Sequence, residues 1–248
     1  MTESLHSRAS LTDAVQAAGD AVAPGEAGFA PRVGEIVEAS SCDLVAQSVR
    51  LHEAPAFGSL VRVPVAPATS PLPSALPTDL YAVVAETRTA SLEAGGRPIA
   101  RGHADVVDAA IYRENPDLEH VLRTEFKALL VGFRTAAASP GMEGAAPGPI
   151  YQHLPPLPPP LHYSVYACTP AEAIAFTERL DFLRTLLAAP AGVADELVAA
   201  CVRAAAAARG DGEAFLLRVG RELAVLLRED YDRLTAVLRR LRPTELRR

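Results

Sequence analysis

Glu86, Arg88, Arg101 and His103 are the side chains of this 248-residue sequence whose types and spacing come nearest to a chemical site. A carboxylate, two guanidiniums and an imidazole are parts from which a general acid–base centre is built, and these four flank the Gly95-Gly96 turn, so a hairpin could make them converge. No nucleophile, base and orienting group can be matched among them, and their ordinary role is a cross-strand ion pair. Elsewhere the signatures of catalysis are missing. The sequence has no GxxxxGK[ST] to cradle a phosphate, and no GxGxxG, GxSxG or HExxH. Its six histidines are dispersed, and its three cysteines, Cys42, Cys168 and Cys201, lie far apart without a CxxC pair. Neither set has the spacing of metal ligands, so no metal or other cofactor is expected. The carboxylates Glu229, Asp230 and Asp232 stand beside Arg228 and Arg233 and read as a solvated, salt-bridged helix face. The expectation is a non-enzymatic protein.

The elements that must position whatever function remains fall into two classes. Over most of residues 31–133 the pattern is β. Val33, Glu35 and Val37 alternate with Gly34, Ile36 and Glu38; a second strand is expected over 44–51, ended by His52-Glu53-Ala54-Pro55, and a third over 60–65, where Pro64 marks an edge or bulge. Four prolines, Pro67, Pro71, Pro73 and Pro77, make a loop, and the clearest strand follows at 81–89. Asn115-Pro116-Asp117 reads as a helix start, with Asn as cap and Pro at the first helical position, before a last strand over 126–133. Several short strands with turn-rich spacing imply a closed or partly closed barrel, because closure removes exposed edges.

Beyond the strands, residues 135–149 are rich in Ala, Gly, Ser and Pro, and the run His153-Leu154-Pro155-Pro156-Leu157-Pro158-Pro159-Pro160-Leu161-His162 must be extended, as a stiff spacer, a strap over the barrel or a recruitment site. Thr169-Pro170 with Glu172 forms a capping box. Three helical stripes follow: Phe176, Leu180, Leu183 and Leu187; then Val193, Leu197, Cys201 and Ala204; then a long helix over 212–241 carrying Leu216, Val219, Leu223, Leu226, Leu227, Tyr231, Leu234, Leu238 and Leu241. The expected fold is α+β: a disordered leader over 1–30, a small N-terminal β-barrel over 31–135, a flexible Pro-rich linker over 136–168, a three-helix region over 169–242 and a basic tail over 243–248.

Composition narrows the partners. A net charge of −6 argues against a general nucleic-acid binder, which needs a basic stripe to neutralise phosphates. The N-terminus lacks the apolar run of a signal peptide, no apolar run is long enough to span a membrane, and the unpaired cysteines fit a reducing cytoplasm.

The residues Gly34-Glu35-Ile36-Val37-Glu38-Ala39-Ser40, the strand after Phe57-Gly58, Tyr81-Ala82-Val83-Val84 and Gly96-Arg97-Pro98-Ile99-Ala100-Arg101-Gly102 together resemble a HAS barrel. This is the small β-barrel at the N-terminus of HerA-type DNA-translocating ATPases and of ATP synthase subunits, and the resemblance covers residues 31–135. Leu122-Arg123-Thr124-Glu125-Phe126, the Pro-rich run and the leucine-rich helices are similar to an uncharacterised group of stand-alone HAS-barrel proteins. In the ATPases the barrel helps assemble the ring and dock accessory subunits. No ATPase domain follows the barrel here, so the resemblance implies docking without ATP hydrolysis or DNA translocation.

The expected function is therefore an adaptor, its barrel contacting a ring ATPase or its own copies and its helical tail a second partner. Arg97, Arg101, Tyr81, Leu157, Leu227 and Tyr231 are the candidate partner-binding residues. The alternative is a single-stranded nucleic-acid binder with an OB-like face, in which Tyr81, Phe57 and Phe133 would stack bases beside Arg62, Arg88, Arg97 and Arg101.

Overall fold

The structure, a computed structural model, describes residues 30–65, 77–93, 95–136, 148–190 and 192–241. All but the last residue of the expected leader, prolines 67, 71 and 73, most of the 135–149 link and Arg242, Arg247 and Arg248 lie outside the described residues.

Six antiparallel strands close into a barrel: β1 (Arg32–Ala39), β2 (Asp43–Ser48), β3 (Leu60–Pro64), β4 (Pro77–Ser91), β5 (Leu122–Thr135) and β7 (Ser164–Ala167). Around the circle β1 pairs with β2, β2 with β5, β5 with β4, β4 with β3, β3 with β7, and β7 with β1. The two-residue β6 (Ile150–Tyr151) adds to the end of β5 beyond its pairing with β2. Alternation decides what points inward. Ile36, Leu44, Ala46, Val61, Val63, Leu80, Ala82, Val84, Phe126, Ala128, Leu130 and Val165 fill the interior. On β5 the pairs Ala82↔Leu130 and Tyr81↔Gly132 leave Val131 as an extra residue, a bulge that lets both Leu130 and Phe133 face inward while Val131 faces out.

The outer face of β4 and β5 is not solvent. Tyr81, Val83 and Val131 belong to a second core shared with five helices: α3 (Pro170–Phe176), α4 (Phe182–Leu187), α5 (Ala194–Ala207), α6 (Gly212–Leu226) and α7 (Tyr231–Leu241). Two shorter helices, α1 (Ala109–Glu114) and α2 (Leu118–Val121), interrupt the β4–β5 connection. The fold is α+β, with a closed barrel and helices that are mostly C-terminal. The helices close on the barrel wall: Phe176 packs its ring 4.9 Å from Tyr81 and 5.6 Å from Phe182.

Several boundaries differ from the sequence expectation. The sixth barrel strand, β7, comes from the stretch read as linker; it is four residues long, follows a Pro-rich run, and its partners β1 and β3 are remote in sequence, so no local pattern marks it. The Pro-rich run is bent rather than straight, at residues 156–157 and at the 161–162 turn, and buries Pro155 and Pro159. It runs from β6 to β7, and the strand registers bring the end of β5 and the start of β7 to the same mouth of the barrel, so it lies there as a strap. Tyr151 stacks on Phe133 at 5.3 Å, and at the far end the His162 N–H donates to the Ile36 carbonyl.

Asn115 does not cap the following helix. Its Nδ2 donates to the Ile111 carbonyl at the end of α1, and the strand expected from 126 begins at Leu122. Two of the three expected C-terminal helices are broken. The first ends at Phe176, where Arg209 binds the Ile174 carbonyl and Gln152 binds the Phe176 carbonyl, then restarts as α4 with the Phe182 N–H donating to Gln152 Oε1. The third breaks between Leu226 and Tyr231, where Asp230 Oδ1 accepts from the Arg233 N–H in a new helix start. Leucine periodicity continues through both breaks, so it cannot reveal them. The Thr169–Glu172 capping box forms as its sequence implies, with Glu172 Oε2 accepting from the Thr169 N–H at 2.8 Å.

Candidate docking surface

Two clusters of functional side chains stand out, and their surroundings are opposite. The first joins barrel to helices. Arg62 projects outward from β3, its Nη1 2.7 Å from Asp79 Oδ1 on β4 and its Nε 2.9 Å from Glu172 Oε1 on α3. Arg134 on β5 lies 3.9 Å from Asp79, and its guanidinium sits 5.6 Å from the centre of the Tyr81 ring. Burial opposes the Arg62 charge, but Asp79 and Glu172 outweigh it and hold the guanidinium ionised more firmly than usual. Burial likewise pushes the Tyr81 hydroxyl and the Cys168 thiol above their ordinary values, so neither is a ready nucleophile. Two acids and two arginines face one another here with the same Glu172 that closes the capping box. The arrangement clamps α3 to the barrel.

The second cluster is the lobe of residues 92–121 carried at the other mouth by the β4–β5 hairpin. Val106 and Leu118 are buried within it, whereas Leu92, Val107, Tyr112 and Val121 are exposed and Ile99 is 82% exposed. A cleft of about 350 Å³ opens on the lobe, lined by Leu92, Glu93, Arg97, Pro98, Ile99, Arg101, Leu118, His120 and Val121 among others. Arg101 is anchored by Asp117 at 3.3 Å and Asn115 Oδ1 at 3.2 Å, and Arg97 makes no ion pair among the described residues. The cleft combines apolar wall with two exposed guanidiniums, a composition suited to a protein surface that presents apolar and acidic groups.

The sequence candidates divide accordingly. Arg97 and Arg101 line this one cleft. Leu157 on the strap and Tyr231, 75% exposed at the start of α7, face solvent far from each other in the chain. Tyr81 and Leu227 are corrected: both are core residues, Tyr81 because α3 covers the outer face of β4, and Leu227 because the break after α6 turns it inward. Of the residues named for base stacking, Tyr81 and Phe133 are buried, in the helix-side core and the barrel interior respectively, and Arg62 is held by two acids, whereas Phe57, Arg88, Arg97 and Arg101 are exposed. Of the four residues flanking the turn, Arg101 lines the cleft, and Glu86, Arg88 and His103 are not among its lining residues. Among the described residues no group of three or more His, Cys, Asp or Glu side chains could hold a metal ion, and no helix is long and apolar enough to cross a membrane.

No protein-family model matches the chain, and no curated protein matches it. The residues that sequence reasoning missed are Ile99, His120 and Val121 on the cleft and the Asp79–Arg134 partners of the clamp. Ile99 had a signal, as a large aliphatic residue in a segment of Gly, Arg and Pro. The clamp had none, because its members lie on four separate elements.

Proposed function

We propose that the protein is a non-enzymatic docking adaptor that uses the lobe at the barrel mouth to bind a protein partner. The observation that carries this reading is the gathering of Arg97 and Arg101 on one exposed cleft beside Leu92, Ile99 and Val121, while the cations of the barrel–helix junction are committed to internal pairs. Interface cores are more apolar than the rest of the surface and enriched in arginine, which is the combination this cleft presents. The barrel itself is read as a HAS-type barrel, which makes a ring ATPase of the HerA type the first partner to seek. The exposed face of α6 and α7, with Leu217, Val225 and Tyr231, is the proposed contact for a second partner.

The test is capture of partners by tagged full-length protein, identified by mass spectrometry, in parallel with the Arg97→Glu/Arg101→Glu variant. Recovery of a ring ATPase by the wild type and its loss from the variant supports the reading. Equal recovery by both places docking elsewhere, and recovery of no partner by the wild type contradicts the adaptor role.

A further inference from the structure

The β4 strand outruns its neighbour. β3 pairs with β4 from Pro64↔Asp79 to Leu60↔Val83, and the contact ends where the Val84 N–H donates to the Ser59 carbonyl and the Gly58 N–H donates to the Val84 carbonyl. Upstream of Gly58 the chain turns away, pressed so closely on α5 that a Cβ at Gly58 would stand 2.5 Å from the Ala200 side chain. β4 runs on to Ser91, bonded to β5 on one side and to no strand on the other among the described residues. Its ladder with β5 is regular from Glu86↔Lys127 to Ser91↔Leu122, and one step further the Leu92 N–H donates to the Val121 carbonyl. Backbone groups of successive residues turn to opposite sides of a strand, so Arg88, Ala90 and Leu92 bond toward β5. The N–H and C=O groups of Thr87, Thr89 and Ser91 face the other way, onto the open edge. The turn at Gly58 occupies that edge beside Val84 and Ala85. From Thr87 to Ser91, about 17 Å, the edge is open to template a further strand.

This edge leads into the docking cleft. Ser91, its last residue, lines the cleft together with Leu92, Arg97, Ile99 and Val121. The cations along the same path are uncommitted. Arg88 stands opposite Glu125, but Glu125 is taken by Arg123 at 2.9 Å, and neither Arg88 nor Arg97 forms an ion pair among the described residues. Glu93 is the one carboxylate that lines the cleft, against Arg97 and Arg101.

We propose that the protein partner reaches this cleft as an extended segment, which adds a strand to β4 along Thr87–Ser91 and carries its next side chains between Leu92, Ile99 and Val121. The inference rests on the docking role given to the cleft and adds the form and chemistry of what docks there. Strand addition draws affinity from main-chain hydrogen bonds and specificity from the pockets that receive alternate side chains; here the edge supplies the first and the cleft the second. The segment is acidic where it passes Arg88 and Arg97, because opposite charges across a strand pair stabilise it. It is apolar at the residue that enters the cleft. It has no proline at the positions whose amides face β4, since each of those must donate.

Panning a phage-displayed library of random peptides on the tagged full chain tests it. The enriched peptides are expected to alternate apolar with acidic residues. The strongest binder is then resynthesised with N-methyl groups on alternate amides, in each of the two phases, and its binding to the wild type is followed by fluorescence anisotropy. Methylation in the phase that faces β4 should weaken binding roughly tenfold or more, and methylation in the other phase should leave it unchanged. Thr87→Pro, which removes an edge N–H and none of the bonds to β5, should weaken it likewise. Equal effects in the two phases overturn strand addition; if Arg97→Glu/Arg101→Glu still abolishes binding, the cleft stands as a docking site without it. Enriched peptides that lack acidic residues overturn the assigned chemistry. Enrichment of no peptide overturns the proposal too, while a partner captured by the wild type and lost from Arg97→Glu/Arg101→Glu keeps the docking reading.

Discussion

From Leu80 to Val84, β4 is buried on both faces, its even-numbered side chains in the barrel interior and its odd-numbered ones under α3 and the helices behind it. From Glu86 onward the same strand carries exposed Thr and charged side chains, one edge without a strand and, at its end, a lobe of exposed aliphatic residues. A single extra residue, Ala85, separates the two regimes: the register shift between Val84 and Glu86 is the last point at which the strand is held from three directions. The first half converts buried area and paired charge into stability. The second half holds chemistry that the chain's own fold leaves unused. A hairpin built this way has a rigid root and a tip free to be recognised.

The largest effect should come from the root. Phe176→Ala removes a fully buried ring that bridges the barrel wall and the helices, and should cost about 3–5 kcal/mol in urea unfolding. Arg62→Leu comes next. Its side chain is only 20% exposed, and its loss leaves Glu172 without its cation and Asp79 with Arg134 alone at 3.9 Å, so a cost of about 2–3 kcal/mol is expected, less than for a wholly buried pair. Gly58→Ala forces a side chain into the left-handed region and into α5, for about 1–2 kcal/mol measured the same way. Ile99→Asp, at the tip, should move the unfolding midpoint by no more than about 0.5 kcal/mol, since the side chain it replaces is already in water. A large destabilisation there would erase the distinction between root and tip.

The smallest effect is one of pH. The Asp43 carboxyl is held below its ordinary value by a hydrogen bond from Lys127 and a second from Ser40. A lowered carboxylate contributes stability that is complete above the unfolded-chain value and is lost as pH falls through the lower folded one. Asp43→Asn should therefore lower stability by a small, constant amount above about pH 4 and converge on the wild type as the pH falls further, which flattens the acid limb.

What the sequence revealed follows the same division. The barrel strands were legible wherever alternation puts one face in the core, as in β1, where Gly34 and Ile36 point inward while Glu35 stays half-buried outside. The capping box at Thr169 was legible because all its parts lie within four residues. β7 was not, since a four-residue strand takes its identity from β1 and β3 rather than from itself. The helix breaks at Thr177 and Leu227 were hidden because leucine spacing persists while Gln152, Arg209 and Asp230 supply the terminations. Of the candidate docking surface, Arg97 and Arg101 could be singled out by type, but Tyr81 could not be excluded, because the helices that bury it lie a hundred residues or so downstream.

The most direct test joins stability and capture in one variant. Full-length Ile99→Asp and the wild type are unfolded in urea and, from the same preparations, used to capture partners. A docking tip on an independent root predicts that the variant keeps the wild-type midpoint and loses the partner. A variant that keeps both, or that loses its partner only together with its fold, contradicts that account.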